Sequence, residues 1–402
     1  MSGIYERLGL RPIINATGSL TRVGGTLMPP PVLEGMAEAA RAFIKIEELQ
    51  ERAGQLIAEA TGAEAGYVTC GASAGLTLAT AACVAGLDVE KMDRLPDTTG
   101  MKNEVIIQKA HRNSYDHAVR SVGVKMVEAG YLGFPGAGGT YPWQIEAAIN
   151  ERTAAILFPI LQDTEGTVPL PEVARIAHRH NVPVIVDAAA ALPPASNLRR
   201  YIAEGADLVT FSGGKALHGP QASGILAGRK DLILSVALQH QDMDVHPQTW
   251  TYRGLLETGV LSGPPHNGIG RAMKVGKEEI VGLMTALELY LQRDHEADQR
   301  LWREQTSYLA DKLADIPNVT ATQVLPEDGS VPSLRIALNE KALGFTAFDV
   351  VNRLLEGEPR IVVAEGHAAR GLLSVNPMTL QEGEVEIVAR RLREVLLDQR
   401  AR

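Results

Sequence analysis

Between residues 66 and 228, short β-branched runs alternate with stretches of helical spacing, the pattern of βαβ units around a parallel sheet. Seven strands are predicted, at 67–69, 104–108, 124–127, 154–158, 182–186, 208–211 and 224–227. Helices are predicted between them at 75–84, 115–122, 143–151, 171–180 and 198–204. Pro171 opens one of these at a first-turn position, where its missing N–H costs nothing. After residue 228 the alternation stops. Residues 277–299 carry apolar side chains at Ile280, Leu283, Met284, Leu287 and Leu291, the spacing of one long helix linking two bodies. Further on, strand-like pieces at 319–324, 333–338, 360–364 and 371–375 and helices at 348–355 and 382–398 predict a small α+β domain. The expected division is an N-terminal arm (1–45), a large domain (46–270), and a linker helix with a small C-terminal domain (271–402).

Composition narrows the class. A chain of 402 residues with 45% hydrophobic and 22% charged positions is globular and long enough for more than one core. The net charge of −9 argues against a general nucleic-acid binder, whose surface would be basic. Two cysteines, Cys70 and Cys83, cannot staple a chain of this size and match no zinc spacing, so a reducing compartment is expected. The opening residues include Glu6 and no apolar core of signal-peptide length, which predicts a cytoplasmic protein. Residues 65–87 carry no charge and have the length of a membrane span. Their content is mostly Gly, Ala, Ser and Thr, however, so the expectation is a glycine turn feeding a buried helix rather than a membrane segment.

Three motifs carry candidate chemistry. The run TCGASAGL, from Thr69, places a glycine turn before a helix N-terminus, where unpaired N–H groups can take an anion; it also suits an ordinary turn capped by Ser73. The run VPVIVDAAAA, from Val182, ends an apolar strand in one carboxylate, Asp187, at the sheet edge where ligands of open α/β folds bind. Such a group needs a cation or protonated ring nitrogen, or else serves as a helix cap. The run DLVTFSGGKALHGP, from Asp207, brings Lys215 after a strand and a glycine pair, as a Schiff-base lysine in a partly dry site or as a loop lysine in solvent.

Their order and spacing, with RPIINATG near the start, VDAAA at Asp187, FSGGKALHGPQASGILAGRKDL around Lys215, GIGRAMKVGKEE at Arg271, and GEPRI and VNPMTL towards the end, carry a resemblance. The chain resembles the selenocysteine synthase branch of the fold-type-I pyridoxal-phosphate enzymes, in particular the bacterial group that includes D-glucosaminate-6-phosphate ammonia-lyase. The resemblance implies an aspartate aminotransferase-like α/β fold, with a seven-stranded, mostly parallel sheet and a smaller C-terminal α+β domain. It implies pyridoxal 5'-phosphate held by Lys215, with Asp187 on the pyridine nitrogen. Ala72, Ser73, Ala74 and Ser212 would cradle the phosphate, and His111 would stack on the ring face. Gln162, or its neighbour Asp163, would meet the ring hydroxyl. Arg271, with Lys274 and Lys277, is either an anion site for substrate or a neighbouring subunit, or a solvated helix start. Arg360 is a candidate for the substrate carboxylate. His240, Asp242 and His246 could be drawn as a metal site, but no metal is expected.

The implied partners are a small amino-acid substrate and a second copy of the chain. A homodimer or higher oligomer would share its active site through Arg271 and the HNGIG segment that starts at His266. The implied activity is a lyase expelling a β-substituent and ammonia from a small amino acid or amino-sugar acid. The alternatives are a racemase or epimerase, a selenium transferase-like enzyme, and a cofactor-binding regulator without catalysis. The selenium transferases, by resemblance, carry an extra N-terminal tRNA-binding domain, and the INATG segment here begins already at Ile14.

Overall fold

The computed structural model describes residues 3–132, 138–160 and 166–398. In chain order its strands are β1 (Ile13–Ala16), β2 (Ala65–Thr69), β3 (Glu104–Gln108), β4 (Lys125–Ala129), β5 (Thr153–Pro159) and β6 (Val184–Asp187). They continue as β7 (Leu208–Ser212), β8 (Gly224–Gly228), β9 (Val319–Val324), β10 (Ser333–Leu338), β11 (Arg360–Val363) and β12 (Leu372–Val375). The chain forms two compact units, one of residues 28–291 and one of residues 1–27 with 292–402.

The larger unit holds a seven-stranded sheet in the order β2-β8-β7-β6-β5-β3-β4. Strands β7, β6, β5, β3 and β4 pair in parallel, and β8 runs antiparallel to both of its neighbours. The parallel strands therefore end at one edge, and Asp187 is the last residue of β6 there. On one face the helix Ala72–Ala85 packs with the helix Lys230–His240 over Val105, Ile107, Leu157, Ile185, Leu208 and Leu226. Twelve of its fourteen residues are buried, which accounts for a sequence without charge or a polar face. Fourteen residues rise only about 21 Å, and the uncharged run is divided between β2 and this helix. No helix among the described residues is long and apolar enough to cross a membrane.

The smaller unit carries an antiparallel sheet, β12-β10-β9, and a parallel pair of β1 and β11. Helices His295–Leu313, Ala347–Glu356 and Glu384–Leu397 close its core around Leu309, Leu334, Ile336, Leu354 and Leu392.

Four expectations shift. The first 27 residues belong to the C-terminal unit rather than to an arm, because β1 finds its hydrogen-bond partner in β11, with Ile13 opposite Arg360. The second boundary falls at 291/292 rather than 270/271, since the helix Lys277–Gln292 buries Ile280, Leu283, Ala286 and Leu287 in the larger unit. That helix also ends earlier than its apolar spacing suggests. Asp294 starts a new helix by accepting a hydrogen bond from the Ala297 N–H at 2.9 Å. The segment predicted as a helix at 115–122 is a 3-10 turn, Ser114–Asp116, followed by a single helical turn, His117–Arg120.

Candidate active site

Adjacent strand ends assemble the site. Asp187 lies opposite Thr210 of β7 and Pro159 of β5, and its Oδ1 accepts the Ala189 N–H at 3.1 Å. Burial pushes its carboxyl above the usual range, against the opposing pull of that N–H and of Lys215. Lys215 stands three residues beyond β7 in the connection to β8. There the Gly213 N–H donates to the Ser223 carbonyl at 2.9 Å, the His218 N–H to the Lys215 carbonyl at 2.9 Å, and the Gly219 N–H to the Gly213 carbonyl at 2.9 Å. Burial lowers the Lys215 amine below the ordinary lysine range, with the Asp187 charge opposing. The two groups thus sense each other's charge, and both are drawn towards neutrality.

The turn after β2 takes the form its glycine suggested. Gly71 has φ 123°, which a residue with a side chain rarely adopts, and no side chain caps the helix Ala72–Ala85 that follows. Its first N–H groups therefore keep their capacity for an anion. Ala72 and Ala74 are buried, whereas Ser73 is exposed. Ser212 ends β7 opposite Gly224.

His111 ends a 3-10 turn after β3 and is fully buried. Its ring meets that of Phe158 edge-on, with centroids 4.8 Å apart. Among the described residues neither of its ring nitrogens has a hydrogen-bond partner. Two orphaned polar atoms in a dry position are costly, and they mark a place shaped for something else. Burial holds the imidazole down at about 4. The unfolded chain would take up this proton near pH 6.5, so the contribution of a neutral His111 to stability is intact above about pH 6.5. It is lost as pH falls towards about 4, by roughly 2–3 kcal/mol. In denaturant titrations of cofactor-free protein at pH 7 and pH 4.5, His111→Phe is expected to lose less stability on acidification than the parent; equal losses would contradict this account.

The remaining candidates scatter. Gln162 and Asp163 lie outside the described residues. Arg271 sits on the 3-10 turn Ile269–Met273 and donates to Asp242 at 2.7 Å, while Lys277 pairs with Glu278 and Lys274 is exposed. Arg360 belongs to the smaller unit, where its Nε donates to the Leu355 carbonyl at 2.9 Å. His240 is a structural residue: its Nε2 donates to the Met273 carbonyl at 2.9 Å and its Nδ1 takes the Tyr67 hydroxyl at 2.9 Å. His246 is exposed. Among the described residues no cluster of three His, Cys, Asp or Glu is placed to hold a metal.

Sequence reasoning missed Phe158 and Thr69. The Thr69 hydroxyl donates to the Gly71 carbonyl at 2.9 Å and so secures the turn. A threonine two residues before a turn glycine was an available signal for this. The Phe158 contact, between β5 and the turn after β3, had none.

A helix N-terminus without a side-chain cap, a half-buried carboxylate, a partly dry amine and an orphaned imidazole suit the phosphate, ring nitrogen, aldehyde and ring face of pyridoxal phosphate. With the sheet order, they define a pyridoxal-phosphate-dependent enzyme of fold type I. The chain belongs to the aminotransferase class-V family, whose model matches residues 93–379. It is 35% identical to the D-glucosaminate-6-phosphate ammonia lyase of Salmonella typhimurium over 399 residues, 98% of this chain and 97% of that one. To the 5'-C-glycyluridine monooxygenase-decarboxylase of a Streptomyces species it is 33% identical over 98% of this chain and 92% of that one. An L-seryl-tRNA(Sec) selenium transferase of Desulfovibrio desulfuricans is 29% identical over 57% of this chain and 51% of its own length. A solved structure of a D-glucosaminate-6-phosphate ammonia-lyase superposes with a TM-score of 0.80 at 33% identity, covering 98% of both chains.

Proposed function

We propose that this chain is a pyridoxal-phosphate lyase that removes a β-substituent and ammonia from a small β-hydroxy amino acid or amino-sugar acid. The observation that carries the reading is Asp187 at the end of β6 with Lys215 three residues beyond the adjacent β7, each within reach of the other's charge, in a chain 35% identical over nearly its whole length to an ammonia lyase.

When bound, pyridoxal phosphate supplies an electron sink for negative charge developing at the substrate Cα. Asp187 would pair with the ring nitrogen and keep a proton there. The N–H groups of Ala72, Ser73 and Ala74, with the Ser73 and Ser212 hydroxyls, would bind the phosphate. His111 would cover one ring face as a neutral imidazole and exclude water. Lys215 Nζ would hold the cofactor and would also take the substrate Cα proton, a task for which a lowered amine pKa suits it. Arg271 and Arg360 are the candidate cations for the substrate's anionic groups. Departure of a β-hydroxyl as water, followed by hydrolysis that takes up one water, gives keto acid and ammonia in equal amounts.

The test is a panel of D- and L-β-hydroxy amino acids and amino-sugar acids, with and without phosphate, assayed for keto acid, ammonia, enantiomer, carbon dioxide and oxygen uptake. Stoichiometric keto acid and ammonia are expected. Inverted amino acid with background ammonia would make the chain a racemase. Oxygen-dependent release of carbon dioxide would ally it with the glycyluridine enzyme. No exchange of the Cα proton on any substrate would leave a non-catalytic cofactor binder.

The same reading makes the enzyme a homodimer or larger. Phe43 is wholly exposed, and Tyr5, Leu8, Leu10 and Leu27 are more than half exposed, apolar surface of the kind that assembly covers. A fully active monomer in sedimentation at assay concentration would defeat this. The thiols of Cys70 and Cys83 are unpaired, as suits a cytoplasmic enzyme, a placement that cell fractionation can overturn.

A further inference from the structure

We infer that Thr210 and Gly75 form a spacer that fixes how far the phosphate turn stands from Asp187, and that this contact sets the affinity for pyridoxal phosphate. The inference rests on the cofactor site proposed above.

Thr210 is fully buried in the centre of the sheet. It lies opposite Asp187 on β6 and Leu226 on β8, so its side chain shares a face with that of Asp187. Its carbonyl accepts the Ala188 N–H at 3.0 Å, one residue beyond Asp187. Its hydroxyl donates to the Ile225 carbonyl at 3.0 Å and cannot easily swing aside. The helix Ala72–Ala85 crosses directly over this side chain at Gly75. A Cβ on Gly75 would stand 2.4 Å from Thr210 Oγ1 and 3.2 Å from Thr210 Cβ. The Gly75 N–H donates at 3.0 Å to the Gly71 carbonyl, the same oxygen that the Thr69 hydroxyl holds. A displacement at Gly75 is therefore passed to the turn through one hydrogen bond.

The turn has a second support. A Cβ on Gly224 of β8 would fall 2.6 Å from Gly71 C and 2.8 Å from Ala72 N. The first turn of the helix thus rests on β2, β8 and β7 through Thr69, Gly224 and Thr210, and Asp187 is the next residue across the sheet. A rigid cofactor that joins phosphate to ring nitrogen has one length, and the Thr210–Gly75 contact holds the distance to which that length must fit. Restoring ordinary contact, about 3.5 Å, to an added methyl at Gly75 requires lifting the helix by about 1 Å. A misplacement of that size is worth roughly tenfold to a hundredfold.

The experiment titrates pyridoxal phosphate into cofactor-free parent, Gly75→Ala, Thr210→Ala and the double variant, reading the visible absorbance band and the phosphorus resonance of the bound phosphate. Gly75→Ala should weaken binding roughly tenfold to a hundredfold and move the phosphorus resonance, with the circular dichroism of the cofactor-free protein unchanged. Thr210→Ala removes the obstructing oxygen, so the double variant should recover to about the affinity of Thr210→Ala alone. Parental affinity in Gly75→Ala, or a double variant no tighter than Gly75→Ala, would overturn the spacer. Should Gly75→Ala not fold, the double variant against Thr210→Ala decides: equal affinities support the spacer, and a further tenfold loss overturns it. A borohydride adduct on a lysine other than Lys215 in the parent would instead overturn the cofactor site beneath it.

Discussion

Lys215→Ala is expected to lower turnover by about 10²–10⁴-fold, the worth of a positioned general base, and to abolish the borohydride-fixed cofactor adduct. The parent protein, reduced and digested, should carry that adduct on the peptide containing Lys215. The chain has other lysines, but burial lowers the Lys215 amine while Asp187 sits close enough to oppose the shift. A lowered amine pKa raises the fraction of neutral nitrogen at physiological pH, and only neutral nitrogen attacks an aldehyde or accepts a proton. The surrounding turn, tied through Gly213, Ser223, His218 and Gly219, holds the backbone around this amine beside the carboxylate. Adduct on another lysine, or a variant that retains full turnover, would remove Lys215 from the centre of the mechanism.

Asp187→Asn should act on chemistry and stability in opposite directions. An amide stabilises a protonated ring nitrogen less than a carboxylate does, and losing a charge-assisted bond of about 1.5–3 kcal/mol corresponds to roughly tenfold to a hundredfold in turnover. Cofactor should still bind through the phosphate turn and Lys215. In the cofactor-free protein, burial raises the Asp187 pKa above its unfolded value. The stability this group contributes is therefore complete below the unfolded carboxyl pKa and is lost as pH rises through the folded one. Removing the charge should make the cofactor-free variant more resistant to denaturant than the parent at neutral pH. A variant with parental turnover would reduce Asp187 to a cap for the Ala189 N–H, and one destabilised at neutral pH would contradict the burial argument.

Most of the strands were legible along the chain because their signals are local. The runs at 104–108, 319–324 and 333–338 have the bounds of β3, β9 and β10, since alternating or fully buried side chains and flanking turn residues lie within a few positions of one another. The turn before the helix Ala72–Ala85 was legible for the same reason, as a glycine between a strand and an uncharged helix. The long helix was overextended because Ile280 to Leu291 keep apolar spacing up to the break, and only Asp294 announces a new N-terminus. His240 illustrates the opposite limit: beside Asp242 and His246 it resembles a ligand, and only Tyr67, 173 residues earlier, and the Met273 carbonyl show that its ring is already satisfied.

The sequence by itself determined the parallel α/β class, the residue types at the strand ends, and the order in which the glycine turn, carboxylate and lysine arrive. Each follows from side-chain periodicity or from chemistry confined to a short window. Only the tertiary structure decided that β8 enters antiparallel between β2 and β7, that β1 leaves the N-terminus for β11, and that Thr210 aligns Asp187 with Gly75. Those outcomes depend on which distant backbone groups satisfy one another and which side chains can share a volume. Neither condition leaves a mark in the spacing of residues along the chain.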